Sequence, residues 1–309
     1  MVFNRATQFL NKDFCRRWRL GESRKINMDT IDLEQYERDG YAVARGLFSP
    51  EEVRAYLQHY MAMHKRETMT ENASLNDATS VKDGDPLKKW PRLMQMHRRD
   101  EKSLRWLLDD RLNQALTALM KREPYAVQTM MYFKPPTARG QALHQDQYYL
   151  RVQPGTCVAA WLALDDCDEE NGCLMVVPGS HTWPLLCPIP ADTQQSFTDI
   201  TVPLPEGERA VPVILKAGDV LFFNGQMVHG SGPNMSKTRF RRSLIGHYIA
   251  GEASEVYKWY HPALRMDGRP IELGTSEIGG QCGTWVSQSG QTHLELVPEI
   301  PDQKIFGPH

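Results

Sequence analysis

The chemistry of this sequence gathers on His144, Asp146 and His229. The first two sit in Leu143-His144-Gln145-Asp146-Gln147, and the third lies far downstream in Met227-Val228-His229-Gly230-Ser231-Gly232. On a strand, positions i and i+2 point to one face, so the pair predicts two ligands entering a barrel side by side. Two imidazoles and a carboxylate make a facial set that leaves cis positions open on a metal. A non-haem iron oxygenase needs those positions for a co-substrate and O2. Spacing alone serves a zinc site in a hydrolytic or cupin-type protein equally well.

The elements around these residues predict a β protein with flanking helices. Ahead of the pair, Leu33 and Tyr36 suggest a short helix broken at Asp39-Gly40, and Tyr41–Arg45 reads as a strand. Ser49-Pro50-Glu51-Glu52 has the form of a capping box, followed at helical spacing by Val53, Tyr56, Leu57 and Tyr60. A polar stretch, 68–85, reads as a loop, and 102–121 as one leucine-striped helix. From about Ala126 the character changes to short apolar runs: Val127–Phe133, Thr156–Leu164, Cys173–Val177, Val211–Leu215, Val220–Phe223 and Ser243–Ile249. Asn171-Gly172, Pro178-Gly179 and Gly218-Asp219 are among the turn pairs that punctuate them. Many short strands at this spacing point to a double-sheet architecture, a jelly roll or cupin-like barrel. The expected organisation is an N-terminal extension over 1–30 and one domain over 31–309. That domain divides into a helical part (31–125), a β core (126–250) and a C-terminal segment (251–309) that wraps the outside without adding core strands.

Bulk properties exclude some classes. A formal net charge of −2 gives no electrostatic reason for a nucleic-acid or anionic-membrane partner. No run approaches the ~18 apolar residues of a spanning helix. The first twenty residues are basic and polar, without the apolar stretch of a secretory signal, and Met28 is an alternative translation start. The six cysteines show no framework or zinc-type spacing, so they read as reduced, buried thiols in a cytoplasmic protein.

The ordered series of motifs resembles the phytanoyl-CoA dioxygenase family, which also contains ectoine hydroxylase. It runs from Tyr36–Val53 through Lys134-Pro135-Pro136, His144-Gln145-Asp146, Asn171-Gly172-Cys173-Leu174 and Val177-Pro178-Gly179-Ser180-His181. It closes on His229-Gly230-Ser231-Gly232-Pro233-Asn234 and Phe240-Arg241-Arg242-Ser243. This resemblance implies a double-stranded β-helix core, Fe(II) held by His144, Asp146 and His229, 2-oxoglutarate as co-substrate, and O2. It also implies an arginine anchor for the far carboxylate of 2-oxoglutarate, a role suited to a bidentate, permanently charged fork. Arg239, Arg241 and Arg242 compete for it. The motif favours Arg241, while one extra residue after His229 keeps Arg242 as an alternative. Gln128, Met130, Trp161 and Ser231 fall on positions the family uses around its co-substrate, against a plain core-packing role for each. Tyr149 either meets substrate or packs; His181 shapes a turn, and His247 is read as core, with an inward-facing place on the Arg241 strand as the alternative.

The implied reaction is hydroxylation of an unactivated C–H bond, with 2-oxoglutarate converted to succinate and CO2. Desaturation, cyclisation and epimerisation share its first hydrogen abstraction, and acyl-CoA is a substrate alternative. The absence of a basic cluster for CoA phosphates favours a free small molecule resembling a secondary metabolite. The readings from outside the class are a cupin-like zinc protein and a non-catalytic metabolite-binding module. The 68–85 loop and the C-terminal segment are candidate lids.

Overall fold

The computed structural model describes residues 26–27, 30–68, 84–288 and 291–297. Most of the expected N-terminal extension, Met28 and nearly all of the expected 68–85 loop lie outside them.

Local signals set the helical part. Helix α1 (Leu33–Asp39) starts on Asp32, whose carboxylate accepts from the Gln35 N–H at 2.8 Å, and ends on Gly40 at φ 85°. A Cβ at Gly40 would also stand 2.6 Å from the His181 ring, so two constraints select glycine. Strand β1 (Tyr41–Ala44) follows. Helix α2 (Pro50–Thr68) opens on the expected capping box: Glu52 N donates to Ser49 Oγ at 3.3 Å, and Ser49 N to the Glu52 carboxylate at 2.9 Å. After β2 (Leu93–Met94), the stretch expected as one helix divides into α3 (Glu101–Leu107) and α4 (Asp110–Met120). The cause is Asp109, whose side chain takes the Arg111 N–H at 2.9 Å and so caps a new helix.

Every apolar run read from the sequence becomes a strand. These are β3 (Pro124–Tyr132), then β4 (Gln141–His144), the one-turn helix α5 (Gln147–Leu150), β5 (Cys157–Ala163) and β6 (Leu174–Val176). Next come β7 (Leu185–Leu186), β8 (Ile189–Pro190), β9 (Ile200–Thr201), β10 (Val211–Val213), β11 (Val220–Asn224), β12 (His229–Ser231) and β13 (Ser243–Ala250). The C-terminal part adds β14 (Glu255–Val256), β15 (Ala263–Arg265), β16 (Pro270–Ile271), β17 (Gly274–Thr275), β18 (Cys282–Gln288) and β19 (Gln291–Leu296).

An eight-stranded sheet runs β1-β11-β5-β13-β3-β15-β16, with β2 also on β3, and a four-stranded sheet runs β10-β6-β12-β4. Alternation along the larger sheet separates two cores. Ala160, Leu162, Phe222 and Leu244 pack on the helices, with Trp106 and Leu112 among their neighbours. Trp161, Leu221, Ile245 and Met130 face the other way and pack on Leu174, Val176 and Val213 of the smaller sheet. The larger sheet is thus covered on one face by helices and on the other by the second sheet, the jelly-roll arrangement expected. Truncating a fully buried member such as Leu112 costs about 2–5 kcal/mol.

The C-terminal segment departs from expectation in two ways. It extends the main sheet, because Leu264 and Arg265 of β15 pair with Ala126 and Tyr125 of β3. It is also tied down covalently: Cys187 and Cys282, expected as reduced thiols, form a disulfide. The tie follows from β18 running parallel to β7, with Cys282 opposite Leu185 and the Cys187 N–H on the Gly283 carbonyl at 2.9 Å. Cys157, Cys167 and Cys173 are buried free thiols, and Cys15 lies outside the described residues. The expected cytoplasmic placement drew on the lack of an export signal together with reduced thiols, and the disulfide removes the second of these. No helix among the described residues is long and apolar enough to cross a membrane.

Candidate active site

β4 and β12 are neighbours in the smaller sheet, and their antiparallel register sets His144 directly opposite His229. One device turns both rings. His144 Nδ1 lies 2.8 Å from the Ala142 carbonyl, and His229 Nδ1 lies 3.0 Å from the Met227 carbonyl. A carbonyl only accepts, so Nδ1 carries the proton and the Nε2 lone pair is left to ligate. Both Nε2 atoms lie 3.6 Å from Asp146 Oδ1. The three ligand atoms fall within 4.8 Å of one another, and all three residues are buried.

Asp146 reaches this point by a route other than strand alternation. β4 ends at His144, and Asp146 adopts helical backbone (φ −62°, ψ −30°) as the N-cap of α5. Gln145, between the two ligands, is fixed by its carboxamide. Its nitrogen donates to the carbonyls of Gln226 at 2.7 Å and Pro184 at 3.1 Å, and its oxygen accepts from Leu186 N at 2.7 Å. A tight turn held this way, not a pleat, swings His144 and Asp146 together.

The donor set fits a divalent first-row cation: two imidazole nitrogens and one carboxylate oxygen, dry and convergent. Burial, reinforced by His229, pushes the His144 imidazole down to about 3, so the ring is neutral near pH 7 and ready to ligate. The second carboxylate oxygen, Asp146 Oδ2, meets His247 Nε2 at 3.1 Å, which fixes the rotation of the carboxylate.

The same cavity is lined by Met130, Tyr132, Trp161, Ser231, Arg241 and His247. Arg241 is buried; its Nε donates to the Gly172 carbonyl at 3.2 Å and Nη1 to Ser243 Oγ at 3.2 Å, with the guanidinium 5.3 Å from the Trp161 ring centre. Burial pushes its pKa down, from a starting point so high that the charge persists. The competing arginines are committed elsewhere. Arg242 makes a bidentate pair with Asp165 at 2.7 and 2.8 Å. Arg239 pairs with Asp168 at 2.7 Å and Glu170 at 2.8 Å.

Residues 36–243 match the sequence profile of the phytanoyl-CoA dioxygenase family. The chain belongs to that family. It is therefore an oxidoreductase. Phytanoyl-CoA dioxygenase 1 of Oryza sativa subsp. japonica is 31% identical over 156 residues, covering 50% of this chain and 55% of that protein. The peroxisomal phytanoyl-CoA dioxygenase of Bos taurus is 27% identical over 236 residues, covering 71% of this chain and 69% of that protein. Solved structures share the fold. The epimerase SnoN in complex with Fe3+, alpha ketoglutarate and nogalamycin RO superposes with a TM-score of 0.56 at 24% identity, over 72% of this chain and 83% of its own. EctD from S. alaskensis with 2-oxoglutarate and 5-hydroxyectoine gives 0.58 at 23% identity, over 82% of this chain and 90% of its own.

In this member of the phytanoyl-CoA dioxygenase family, most residues expected at the site come together. His144, Asp146, His229, Met130, Trp161, Ser231 and Arg241 all line one cavity. Gln128 does not line it; it is fully buried in register with His247. Tyr149 stays outside the lining, with its ring edge-on to His144 at 6.1 Å. His181 bonds the Glu37 carbonyl at the end of α1 and so shapes a loop, as expected. His247 is corrected from core to site. Its signal was available: counting by two from Arg241 gives Ser243, Ile245 and His247 on one face. Sequence reasoning also passed over Gln141, whose amide nitrogen lies 3.2 Å from His144 Nε2.

Proposed function

We propose that this protein is an Fe(II)- and 2-oxoglutarate-dependent dioxygenase. It hydroxylates an unactivated C–H bond of a small molecule resembling a secondary metabolite and releases succinate and CO2. The observation that carries this reading is the presence of the buried triad and the buried Arg241 in one cavity. SnoN binding Fe3+ and alpha ketoglutarate, and EctD binding 2-oxoglutarate and 5-hydroxyectoine, lend support from the same fold.

Iron held by the triad, with 2-oxoglutarate and O2, supplies the oxidising power that such a C–H bond requires. The chain's own residues supply order. His144, Asp146 and His229 would hold the metal, while His247 holds the Asp146 carboxylate in one rotation. Arg241, set over Trp161, pairs with the distal carboxylate of the co-substrate. Apolar walls from Met130, Leu174, Phe223 and Ile245 exclude water from the reacting centre.

The test is anaerobic reconstitution with Fe(II) and 2-oxoglutarate, followed by succinate measurement on admitting O2 with a panel of small molecules. Iron-dependent succinate formation is expected, stimulated by a subset of the panel. A protein that purifies with stoichiometric zinc and forms no iron-dependent succinate with any member would belong to the zinc alternative.

A further inference from the structure

Asp146 is flanked by two buried glutamines, and each of them bonds to one side of the Cys187–Cys282 disulfide. Gln145 holds the segment that runs into Cys187: its carboxamide donates to the Pro184 carbonyl at 3.1 Å and accepts from the Leu186 N–H at 2.7 Å. Gln147 holds the segment that runs into Cys282, with Nε2 donating to the Gly279 carbonyl at 3.1 Å. The approach there needs glycine, since a Cβ on Gly279 would stand 2.6 Å from the Gln147 carbonyl oxygen. The turn that carries the Asp146 carboxylate is therefore clasped between two segments, and the disulfide joins those segments to each other.

The clasp stands apart from the main cores. Around the disulfide, the buried apolar cluster consists of Leu185, Cys187 and Cys282, with Tyr148 and Val297 packed against it. The residues that cover the two faces of the larger sheet belong to other clusters. Backbone pairing across the clasp is short: β18 meets β7 through Cys282 with Leu185 and Gly283 with Leu186. Further along β18, the Trp285 indole N–H donates to the Pro203 carbonyl at 3.2 Å, and its ring lies edge-on to Trp183. Opening the disulfide thus leaves the sheets and their cores in place and loosens the two segments beside Asp146.

We propose that Cys187 and Cys282 form a redox switch on metal affinity: reduction by a dithiol releases the turn that aims Asp146 at His144 and His229. This rests on the function proposed above, in that the triad is taken as the metal site. The chemistry is thiol–disulfide exchange. One sulfur of the dithiol attacks Cys187, the more exposed of the pair at 7% against 1%, and Cys282 leaves as a thiol. The second sulfur then displaces Cys187. The two electrons and two protons given up by the dithiol end on the cysteines, and the reductant becomes a cyclic disulfide. Gln145 and Gln147 are the positioning residues that carry the change to Asp146. Loss of such outer support weakens a metal site by about ten- to a hundredfold.

The experiment is a Mn(II) titration of the oxidised and the dithiothreitol-reduced protein, with the reductant removed anaerobically and the thiols counted in denaturant. Mn(II) suits the purpose because it favours nitrogen and oxygen donors over the thiols that reduction creates. The reduced protein should show two more thiols, as the pair requires, and bind Mn(II) about tenfold more weakly. Glutathione disulfide should restore the affinity as it re-forms the bond. The double variant Cys187→Ser, Cys282→Ser should bind at the reduced level whether or not dithiothreitol has been applied. Thermal melts identify a variant that fails to fold, and the reduced native sequence then decides alone. In the metal-free protein, amide exchange over 145–151 should quicken on reduction while β5 and β11 stay unchanged. No gain of thiols, equal Mn(II) affinity in the two states, or exchange over 145–151 unmoved by reduction would overturn the proposal. Absence of Mn(II) binding in both states would instead count against the proposed function, and the exchange measurement would still decide whether the disulfide holds the turn.

Discussion

The cavity has two parts of opposite electrical character. Around the triad, two imidazole nitrogens and one carboxylate oxygen converge, a donor set suited to a cation. Around Arg241 and Lys134, two buried basic groups share the Gly172 carbonyl, and no carboxylate of the described residues hydrogen-bonds either. The means of support differ as well. The two histidines are set by the β4–β12 register and by the carbonyls two residues before each ring, and Asp146 by the turn after β4 and by His247. The basic group is held by turns, from 134–135, 171–172 and 231–234, that converge from separate places in the chain. The metal part therefore rests on strand register and on bonds close to each ligand, while the anchor part depends on how loops meet.

The largest effect should come from the metal part. His144→Ala removes one of three ligands, and stoichiometric metal binding should be lost when followed by calorimetry or metal analysis. Retention of one tightly bound ion would remove His144 from the triad. In the anchor part, Arg241→Ala should raise the 2-oxoglutarate requirement by about a hundredfold, since a buried charge-assisted pair is lost. Arg242→Ala, which breaks a half-buried pair with Asp165 outside the cavity, should leave that requirement nearly unchanged. Equal effects of the two arginine variants would erase the contrast between them.

His247→Phe probes the link between the triad and β13. Loss of the bond to Asp146 should weaken metal affinity by about tenfold, the lower end for an outer partner of a ligand, without unfolding the protein. An unchanged metal titration would make His247 a packing residue after all. The smallest effect concerns the metal-free protein. His144 and the buried His97 are both pushed down to about 3, so they stay neutral in the fold but take up protons on unfolding below about 6.5. Their folded pKa values are depressed, so stability is full above that range and falls as pH drops from about 6.5 towards 3. Each contributes a slope of up to about 1.4 kcal/mol per pH unit. Urea melts at pH 7 and 5 should show the loss, and His144→Gln should flatten it.

Much of this was legible in the sequence, for identifiable reasons. β-Branched and aromatic runs between turn pairs specify strands because the period of two leaves one face apolar, as in β5 and β11. The capping box at Ser49 and Glu52 is a local hydrogen-bond problem with a local solution. The triad was legible through the ordered motifs around it, since its spacing alone served a zinc site equally well. Asp146 was expected beside His144 through strand alternation, and a turn pinned by Gln145 brings the two together instead. The buried position of Lys134 was visible only as part of a motif, because its partners come from loops that no spacing rule connects. The disulfide partners stand 95 residues apart, and nothing in the intervening chain announces that β7 and β18 run side by side.

That disulfide also partitions the chain as a closed loop. Residues 187 to 282 form a covalent ring that carries His229, Arg241 and Ser231, whereas His144, Asp146 and Lys134 lie on the linear chain before it. The metal site therefore draws one ligand from the ring and two from the linear chain before it. A single backbone cut anywhere between Cys187 and Cys282 opens the ring without releasing either half. Such a nicked protein keeps all its ligands on one molecule until a reductant separates the pieces.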